Sequence, residues 1–183
     1  MEYFGTPKYV GELTEILVDG IPFHFEVVKE QDEEYTEHTL IFYHELSNGQ
    51  VLSLAFSEVD FLTLNASVVI ANTHGYARLW HFIAEPNDEV TGKCGLEGLR
   101  KAFKLLKWFT QNILPDSHSI EIYSEGKKAK AYKYLKRIGF DEKFSTNEVS
   151  IFEFAKDGEI TYLQTLTDIK RILTRIHAYG GNF

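Results

Sequence analysis

Three two-residue turn signals divide the first half of the chain and restrict it to β-hairpins. They are Asp19-Gly20, Asn48-Gly49 and His74-Gly75. Dipeptides of this kind close hairpins because glycine accepts the positive φ angles of a tight turn. The predicted strands beside these turns are residues 21–28, 39–46, 50–57, 67–73 and 76–84. We therefore expect an antiparallel meander in which successive strands are neighbours.

The run after the first turn alternates as a strand with one buried face does. Apolar residues occupy the odd positions from Ile21 to Val27, while His24 and Glu26 fall between them. A period of two is typical of a half-buried strand. The pattern therefore predicts that Glu26 lies on the face opposite the core.

After Pro86 the period changes from two to between three and four, which indicates helices. The residues that share one predicted helix face are Leu96, Leu99, Phe103, Leu106 and Phe109. Pro115 helps to end this helix, and a strand is predicted at 119–123. A basic helix is then predicted over 127–137. It stops at Gly139, a residue suited to a left-handed C-terminal cap. A strand at 148–154 comes next.

The last segment, about 160–178, is predicted to be one more amphipathic helix. Its apolar stripe consists of Tyr162, Leu166, Ile169, Leu173 and Ile176. Strands and helices in this order predict an α/β (α+β) fold, with a mixed sheet covered by helices on its faces. The stripe either packs on its own domain or fits a partner's groove.

The size and composition of the chain favour one domain over residues 1–183. With 183 residues, of which 44% are hydrophobic, the chain can bury one sizeable core. Cys94 has no second cysteine to pair with, and we see neither a signal peptide nor an apolar run that could span a bilayer. These features favour the cytoplasm. The seven histidines show no metal-ligand spacing, so no metal is expected.

Charge is distributed unevenly along the chain. Residues 92–137 carry a net charge of +7, which leaves −15 for the rest of a chain whose total is −8. A positive field of this kind attracts a polyanion such as a nucleotide phosphate or a nucleic acid. The alternative is a solubilising charge excess that happens to be segregated.

Two motifs resemble the core of the GNAT superfamily of N-acetyltransferases. The first is the glycine-rich stretch 91–100, which opens a helix, and the second joins the strand Ile120-Glu121-Ile122 to a segment 131–140 that ends in Gly139-Phe140. The resemblance covers about 66–155. It implies a GNAT-like, mainly antiparallel sheet with flanking helices, to which this chain adds N-terminal hairpins and an extra C-terminal helix.

The resemblance also implies a site for acetyl-CoA. In the family, the glycine-rich turn holds the pyrophosphate at a helix N-terminus, and here Gly92, Lys93, Gly95 and Gly98 occupy that stretch. The backbone of the family's splayed fourth strand holds the thioester carbonyl and the pantetheine. With that strand read as 76–85, the corresponding residues are Phe82, Ile83 and Ala84.

The glycines also have a simpler explanation, since they can serve only the turn and close helix packing. Glu97 departs from the family pattern, because a carboxylate in this turn opposes a pyrophosphate. Both points leave the affinity for acetyl-CoA open.

Three residues are candidates for proton transfer to and from the reacting groups. His81 and Glu85 share one face of the predicted strand 76–85 and are candidate general bases. The family's acid tyrosine is replaced by Leu135, and Tyr132 is the better substitute because it lies about one helical turn away on a similar face. Each of the three also fits a structural role.

Three functions therefore stay open. The first is an acetyl-CoA-dependent N-acetyltransferase that acts on an amine-bearing small molecule or protein. The second is a GNAT-fold scaffold without catalysis, which forms a homo-oligomer or binds a protein through its C-terminal helix. A loose similarity to small acetyltransferase-like proteins of podoviruses suggests a phage virion or assembly role for such a scaffold. The third is nucleic-acid binding through residues 92–137.

Overall fold

A computed structural model describes residues 6–31, 36–58, 62–81, 96–125, 131–158 and Ile176. The strands are β1 (Thr6–Val18), β2 (Ile21–Gln31), β3 (Thr36–Glu45), β4 (Val51–Glu58), β5 (Thr63–Ala71), β6 (Ser119–Glu125), β7 (Asp141–Ser145) and β8 (Val149–Ala155). The helices are α1 (His74–Trp80), α2 (Glu97–Asn112) and a 3₁₀ helix (Lys133–Ile138).

The eight strands form one sheet in the order β1-β2-β3-β4-β5-β6-β8-β7. Neighbouring strands are antiparallel throughout, except that β5 runs parallel to β6. The predicted meander is confirmed for β1 to β5. The edge strand β7 has no counterpart in the sequence prediction.

The first two turn signals close hairpins as predicted. Asp19 and Gly20 have φ angles of 50° and 76°, and Gly49 has a φ of 85°. These left-handed conformations match those that tight hairpin turns need. The two dipeptides therefore set the register of β1 with β2 and of β3 with β4.

The third turn signal is wrong, because His74 and Gly75 begin helix α1. The Thr73 hydroxyl accepts a hydrogen bond of 3.1 Å from the Tyr76 amide, and the Thr73 carbonyl accepts one of 2.9 Å from the Ala77 amide. A threonine in this position is a helix N-cap. The predicted strand 76–84 is therefore incorrect as far as Trp80, and residues 82–84 lie outside the described residues.

Helix α2 has the amphipathic pattern that the sequence predicts. Phe103, Leu106 and Phe109 are buried, and Leu99 is partly buried against the same core. Leu96, predicted on the same face, precedes the helix and is 58% exposed.

The core has two parts, one on each face of the sheet. The larger part lies beneath α2 and contains Phe42, Phe56, Phe109, Leu135 and Phe152 among its members. The smaller part lies beneath α1 and consists of Val28, Ile41, Tyr43, Ala55, Val69, Ala71 and Ala77. Helices on both faces of a mixed, mainly antiparallel sheet confirm the predicted fold class.

The second half follows the prediction in outline. The strands predicted at 119–123 and 148–154 are present as β6 and β8. Gly139 ends the 3₁₀ helix with a φ of 100°, as expected of a left-handed cap. Ile176 is fully buried in the larger core, and the other residues of the predicted C-terminal stripe lie outside the described residues.

We predict that Phe109→Ala lowers the free energy of unfolding by about 3–5 kcal/mol, because a stacked pair in the core loses one ring. The Phe56 and Phe109 rings are 3.8 Å apart at 9°, and both side chains are fully buried. Urea denaturation measures the change. Phe144→Ala is the control, since Phe144 is 53% exposed. If Phe109→Ala lowers the free energy of unfolding no more than the control does, the stacking argument is wrong.

Candidate functional site

The parallel strands β5 and β6 separate after a short paired stretch. Residues 63–66 pair with 119–122, and no further partners join the two strands within the described residues. Both strands nevertheless continue, β5 to Ala71 and β6 to Glu125. The result is a wedge-shaped opening in the middle of the sheet, which we call the splay.

Beyond the splay point, β5 lacks within the described residues the second strand partner that an ordinary sheet supplies. Over residues 67–71, β5 stays paired with β4 on one side, but within the described chain it has no strand on the side that faces β6. Unpaired N–H and C=O groups along a strand edge bind extended chains that carry amides. The splay is therefore suited to an extended ligand that hydrogen-bonds as a strand does.

A buried ion pair attaches α1 to strand β2 of the sheet. Arg78 Nε donates to Glu26 Oε1 at 2.7 Å, and a second guanidinium nitrogen donates to Glu26 Oε2 at 2.6 Å. The Tyr43 hydroxyl donates to Glu26 Oε1 at 2.6 Å. Burial and the Glu26 hydrogen bond raise the pKa of Tyr43. The carboxylate thus has three donors, which offset the cost of burying its charge.

Glu26 lies on the predicted face of β2, but its burial corrects the expectation that this strand is half-buried. The alternating pattern puts Glu26 on the face away from the core, yet this side chain is only 4% exposed because α1 covers that face too. His74, in the first turn of α1, packs its ring 4.1 Å from that of Tyr43. Neither the ion pair nor the ring contact follows from the spacing of these residues in the sequence.

His81 follows α1 and contacts the same face of the sheet. Its Nε2 lies 2.7 Å from the Ser53 hydroxyl, and its Nδ1 is buried without a hydrogen-bond partner in the part of the chain that the structure describes. Burial lowers the pKa of His81 to about 3. The imidazole is therefore neutral at neutral pH, and it can act as a base only through the ring nitrogen that carries no proton.

Tyr132 lies on the other face of the sheet. Its ring packs 5.9 Å from Phe103 of α2, and the side chain is only 3% exposed. Burial raises the pKa of the Tyr132 hydroxyl. Ser53, which contacts His81, alternates with the α2-side core residues Leu52 and Leu54, so the sheet separates His81 from Tyr132.

The remaining sequence candidates are only partly described. Glu85, Phe82, Ile83, Ala84, Gly92, Lys93 and Gly95 lie outside the described residues. Gly98 is buried in the first turn of α2. Leu135, at the position of the family's acid, is fully buried in the larger core.

Glu97 joins the start of α2 to the β3–β4 hairpin. Its Oε1 accepts hydrogen bonds from the Ser47 amide at 3.1 Å, the Ser47 hydroxyl at 2.8 Å and Lys101 Nζ at 2.9 Å. Lys101 also donates to His44 Nε2 at 2.8 Å. The bonds from Lys101 and Ser47 lower the pKa of Glu97 to about 2. The charge of Glu97 is therefore paired.

No cluster of three or more potential metal ligands occurs among the described residues. Within the same ranges, no helix has the length and apolar content needed to cross a bilayer.

Comparison with known proteins gives structural likeness at low sequence identity. A chimera of the spermidine N-acetyltransferase SpeG from Vibrio cholerae and hSSAT is 17% identical over 64% of this chain and 66% of that chain, with a TM-score of 0.34. The chain thus spans just under two thirds of that structure. Mutant forms of the spermidine/spermine N-acetyltransferase SpeG from the same organism are 16% identical over 68% and 69%, with a TM-score of 0.33.

A third structure is SpeG from Vibrio cholerae in complex with manganese ions, which is 15% identical over 74% of this chain and 71% of that chain, with a TM-score of 0.32. No protein-family model matches the chain. No curated protein sequence matches it either.

We predict that Arg78→Met destabilises the protein more than Glu26→Gln does. Arg78→Met leaves a carboxylate that is 4% exposed without its cation, and such a change costs about 3–5 kcal/mol. Glu26→Gln leaves a guanidinium on a side chain that is 26% exposed and can reach water. Chemical denaturation compares the two variants.

Asp19→Asn is the control for this comparison. It removes the Lys104–Asp19 pair, whose side chains are 53% and 69% exposed, while asparagine tolerates the positive φ at this position. Asp19→Asn should lower the free energy of unfolding by less than about 1 kcal/mol. Equal losses in Arg78→Met and in the control would show that the buried pair contributes no more than a surface pair.

We predict that His81→Gln flattens the dependence of stability on pH. Because the folded pKa lies at about 3 and the unfolded one near 6.5, the unfolded chain binds the extra proton as the pH falls through 6.5. Stability is therefore fully present above that pH and lost below it, by about 1 kcal/mol between roughly pH 7.5 and 5.5. Urea midpoints across this range measure the slope. An unchanged slope in His81→Gln would contradict the prediction.

Proposed function

We propose that this protein is a GNAT-type N-acetyltransferase that transfers the acetyl group of acetyl-CoA to an amine. The observation that carries the proposal is the splay of β5 from β6, because a splayed strand is the feature that binds the thioester in the family that the sequence resembles. The splayed strand is β5, whereas the sequence prediction had assigned it to residues 76–85.

The chemistry of the cofactor fits the splay. Pantetheine is an extended chain with two amides, and the free edge of β5 at residues 67–71 carries the complementary N–H and C=O groups. The backbone of residues 67–71 therefore takes the role first given to Phe82, Ile83 and Ala84. A carbonyl hydrogen-bonded to a backbone N–H is polarised towards attack by the amine.

The start of α2 supports binding of the pyrophosphate. The N-terminus of a helix of this length favours an anion, and Gly92, Lys93 and Gly95 immediately precede it in the sequence. Glu97 opposes an anion less than its sequence position suggests, since Lys101 lies 2.9 Å from its carboxylate. Lys93 is proposed to add a point charge, and Gly98 to allow close approach.

Catalysis in this proposal depends mainly on positioning. The amine attacks the thioester carbon, the C–S bond breaks, the amine loses a proton and the coenzyme A thiolate gains one. Candidates for the base remain His81, whose pKa of about 3 makes it neutral but weakly basic, and Glu85. Tyr132 remains the candidate acid, and its raised pKa keeps its hydroxyl protonated.

The second candidate function is a GNAT-fold scaffold without catalysis. One observation favours it: Leu135 is fully buried where the family has its acid, while Tyr132, the substitute, is 3% exposed. A scaffold needs neither a free hydroxyl nor a cofactor. The two candidates therefore differ in whether acetyl-CoA binds.

Calorimetric titration of the full chain with acetyl-CoA and with coenzyme A tests the proposal. We expect saturable heat and a rise in melting temperature, because a ligand that binds only the folded state stabilises it. Release of free thiol with a panel of amines, including spermidine and a lysine peptide, then measures transfer. If neither heat nor a thermal shift is seen at about millimolar ligand, the enzyme hypothesis is rejected and the scaffold hypothesis is retained.

Tyr132→Phe tests the proposed acid separately from binding. If the hydroxyl protonates the thiolate, kcat falls by about 10²-fold or more while the affinity for acetyl-CoA stays the same. Phe144→Ala, at an exposed side chain of β7, is the activity control. If kcat is unchanged in Tyr132→Phe, the hydroxyl is not the acid and the side chain serves only in core packing.

A further inference from the structure

A long groove lies between α2 and the 3₁₀ helix, on the outer side of the larger core. Its volume is about 1100 Å³, and its walls include residues from Leu96 to Asn112 of the α2 region and from Ala131 to Ile138. The wall formed by α2 is about 24 Å long at 1.5 Å per residue. A groove of this volume exceeds the usual range for a small ligand, about 300–1000 Å³. It is therefore suited to an elongated ligand.

The floor of the groove is apolar and its rim is basic. Leu99 and Phe103 form part of the floor, and Leu96 and Tyr134 remain 58% and 49% exposed beside it. The cations on the rim are Arg100, Lys104, Lys107, Lys133 and Arg137, and Asp19 is the acidic residue among the lining groups. Five of the eleven basic residues of segment 92–137 thus line this groove.

Most of this positive charge is not neutralised locally. Asp19 pairs with Lys104 at 3.3 Å, but Arg100 and Lys107 have no ion pair within the part of the chain that the structure describes. Cations on both sides of an apolar strip create a field that attracts an anionic ligand and repels a cationic one. The groove therefore selects a ligand with one apolar face and negatively charged edges.

The aromatic contacts favour a peptide over a nucleic acid. The Tyr134 ring stacks on Phe103 at 5.8 Å and 13°, and the Arg137 guanidinium covers Tyr134 at 5.0 Å from the ring centroid. Proteins bind single-stranded nucleic acids through free aromatic faces that stack with the bases. Here the Tyr134 ring already contacts Phe103 and Arg137, whereas an amphipathic helix needs only the apolar strip and the basic rim.

We propose that this groove binds an acidic amphipathic helix of a partner protein. The apolar stripe of the helix contacts Leu99, Phe103 and Leu96, and its flanking carboxylates face Arg100 and Lys107 on the rim. This interaction goes beyond acetyl transfer and requires none of the residues of the splay, but Leu96 and Arg100 lie at the start of α2, where the pyrophosphate of acetyl-CoA is proposed to bind. The two proposals are therefore tested in separate assays.

A labelled peptide tests the groove with the full-length chain. The probe is a helical peptide of about 16 residues, the length of the α2 wall, with leucines at i, i+3, i+4 and i+7 spacing and glutamates elsewhere. Fluorescence anisotropy should show saturable binding in the micromolar range. A scrambled peptide of the same composition should bind at least about tenfold more weakly, because its leucines form no stripe.

Charge reversal locates the binding surface. Lys107→Glu and Arg100→Glu, both at exposed positions, should each weaken binding about tenfold or more. Lys143→Glu makes the same charge change on β7, outside the groove, and should alter binding less than about twofold. Raising the salt from about 50 to 500 mM should weaken wild-type binding for the same reason.

Three results overturn the proposal. The first is no saturable binding at about 100 μM peptide, and the second is equal effects of Lys107→Glu and Lys143→Glu, since in either case the groove makes no specific contact. The third is a single-stranded oligonucleotide that binds more tightly than the peptide and loses affinity in Lys107→Glu, which assigns the groove to nucleic acid. Acetyl-CoA is left out of these assays, so their outcome is independent of catalysis.

Discussion

β5 and β6 are neighbours that run in the same direction, whereas every other neighbouring pair in the sheet is antiparallel. A parallel pair cannot be closed by a two-residue turn, so the chain must cross one face of the sheet between the two strands. Helix α2 lies in this connection and covers that face with Phe103, Leu106 and Phe109. The same pairing includes only residues 63–66 and 119–122, which leaves the splay open beyond them. The largest part of the core and the candidate site therefore arise from one pair of strands.

On the opposite face the helix is the short α1. Among its described side chains, Ala77 belongs to the smaller core and Tyr76 is partly buried beside it. The bidentate bond from Arg78 to Glu26 fixes the helix in place, and Tyr43 provides a third donor to the carboxylate. Breaking such a pair leaves an uncompensated charge, so it specifies one position for the helix even if its net contribution to stability is small. This attachment places His81 against Ser53.

The sequence was most informative where a local signal decides the structure. The glycines at positions 20 and 49 have positive φ angles, and Gly139 ends a helix, all as their local patterns predict. The failure at His74-Gly75 has a local cause too, because Thr73 is a helix N-cap and starts α1 at these residues. Gly75 has no positive φ, which removes the reason for a tight turn there.

Contacts between distant segments could not be predicted in this way. Glu26 and Arg78 are 52 residues apart, and Ser47 and Glu97 are 50 residues apart. The alternation of β2 correctly predicts a strand, but it contains no information on whether a helix covers the second face. The alternation of apolar and polar residues along a strand likewise cannot show where two parallel strands separate. For these reasons the fold class followed from the sequence, while the splayed strand was assigned to the wrong segment.

The two faces of the sheet constrain any mechanism of transfer. Tyr132 lies in the core on the α2 side, and His81 contacts Ser53 on the α1 side. An acid and a base on opposite faces can serve one reaction only if the reacting carbon lies between the faces, and the splay provides such a position within the described sheet. If the reacting carbon lies elsewhere, at most one of these two side chains can take part, and proton transfer on the other side must proceed through water or through Glu85.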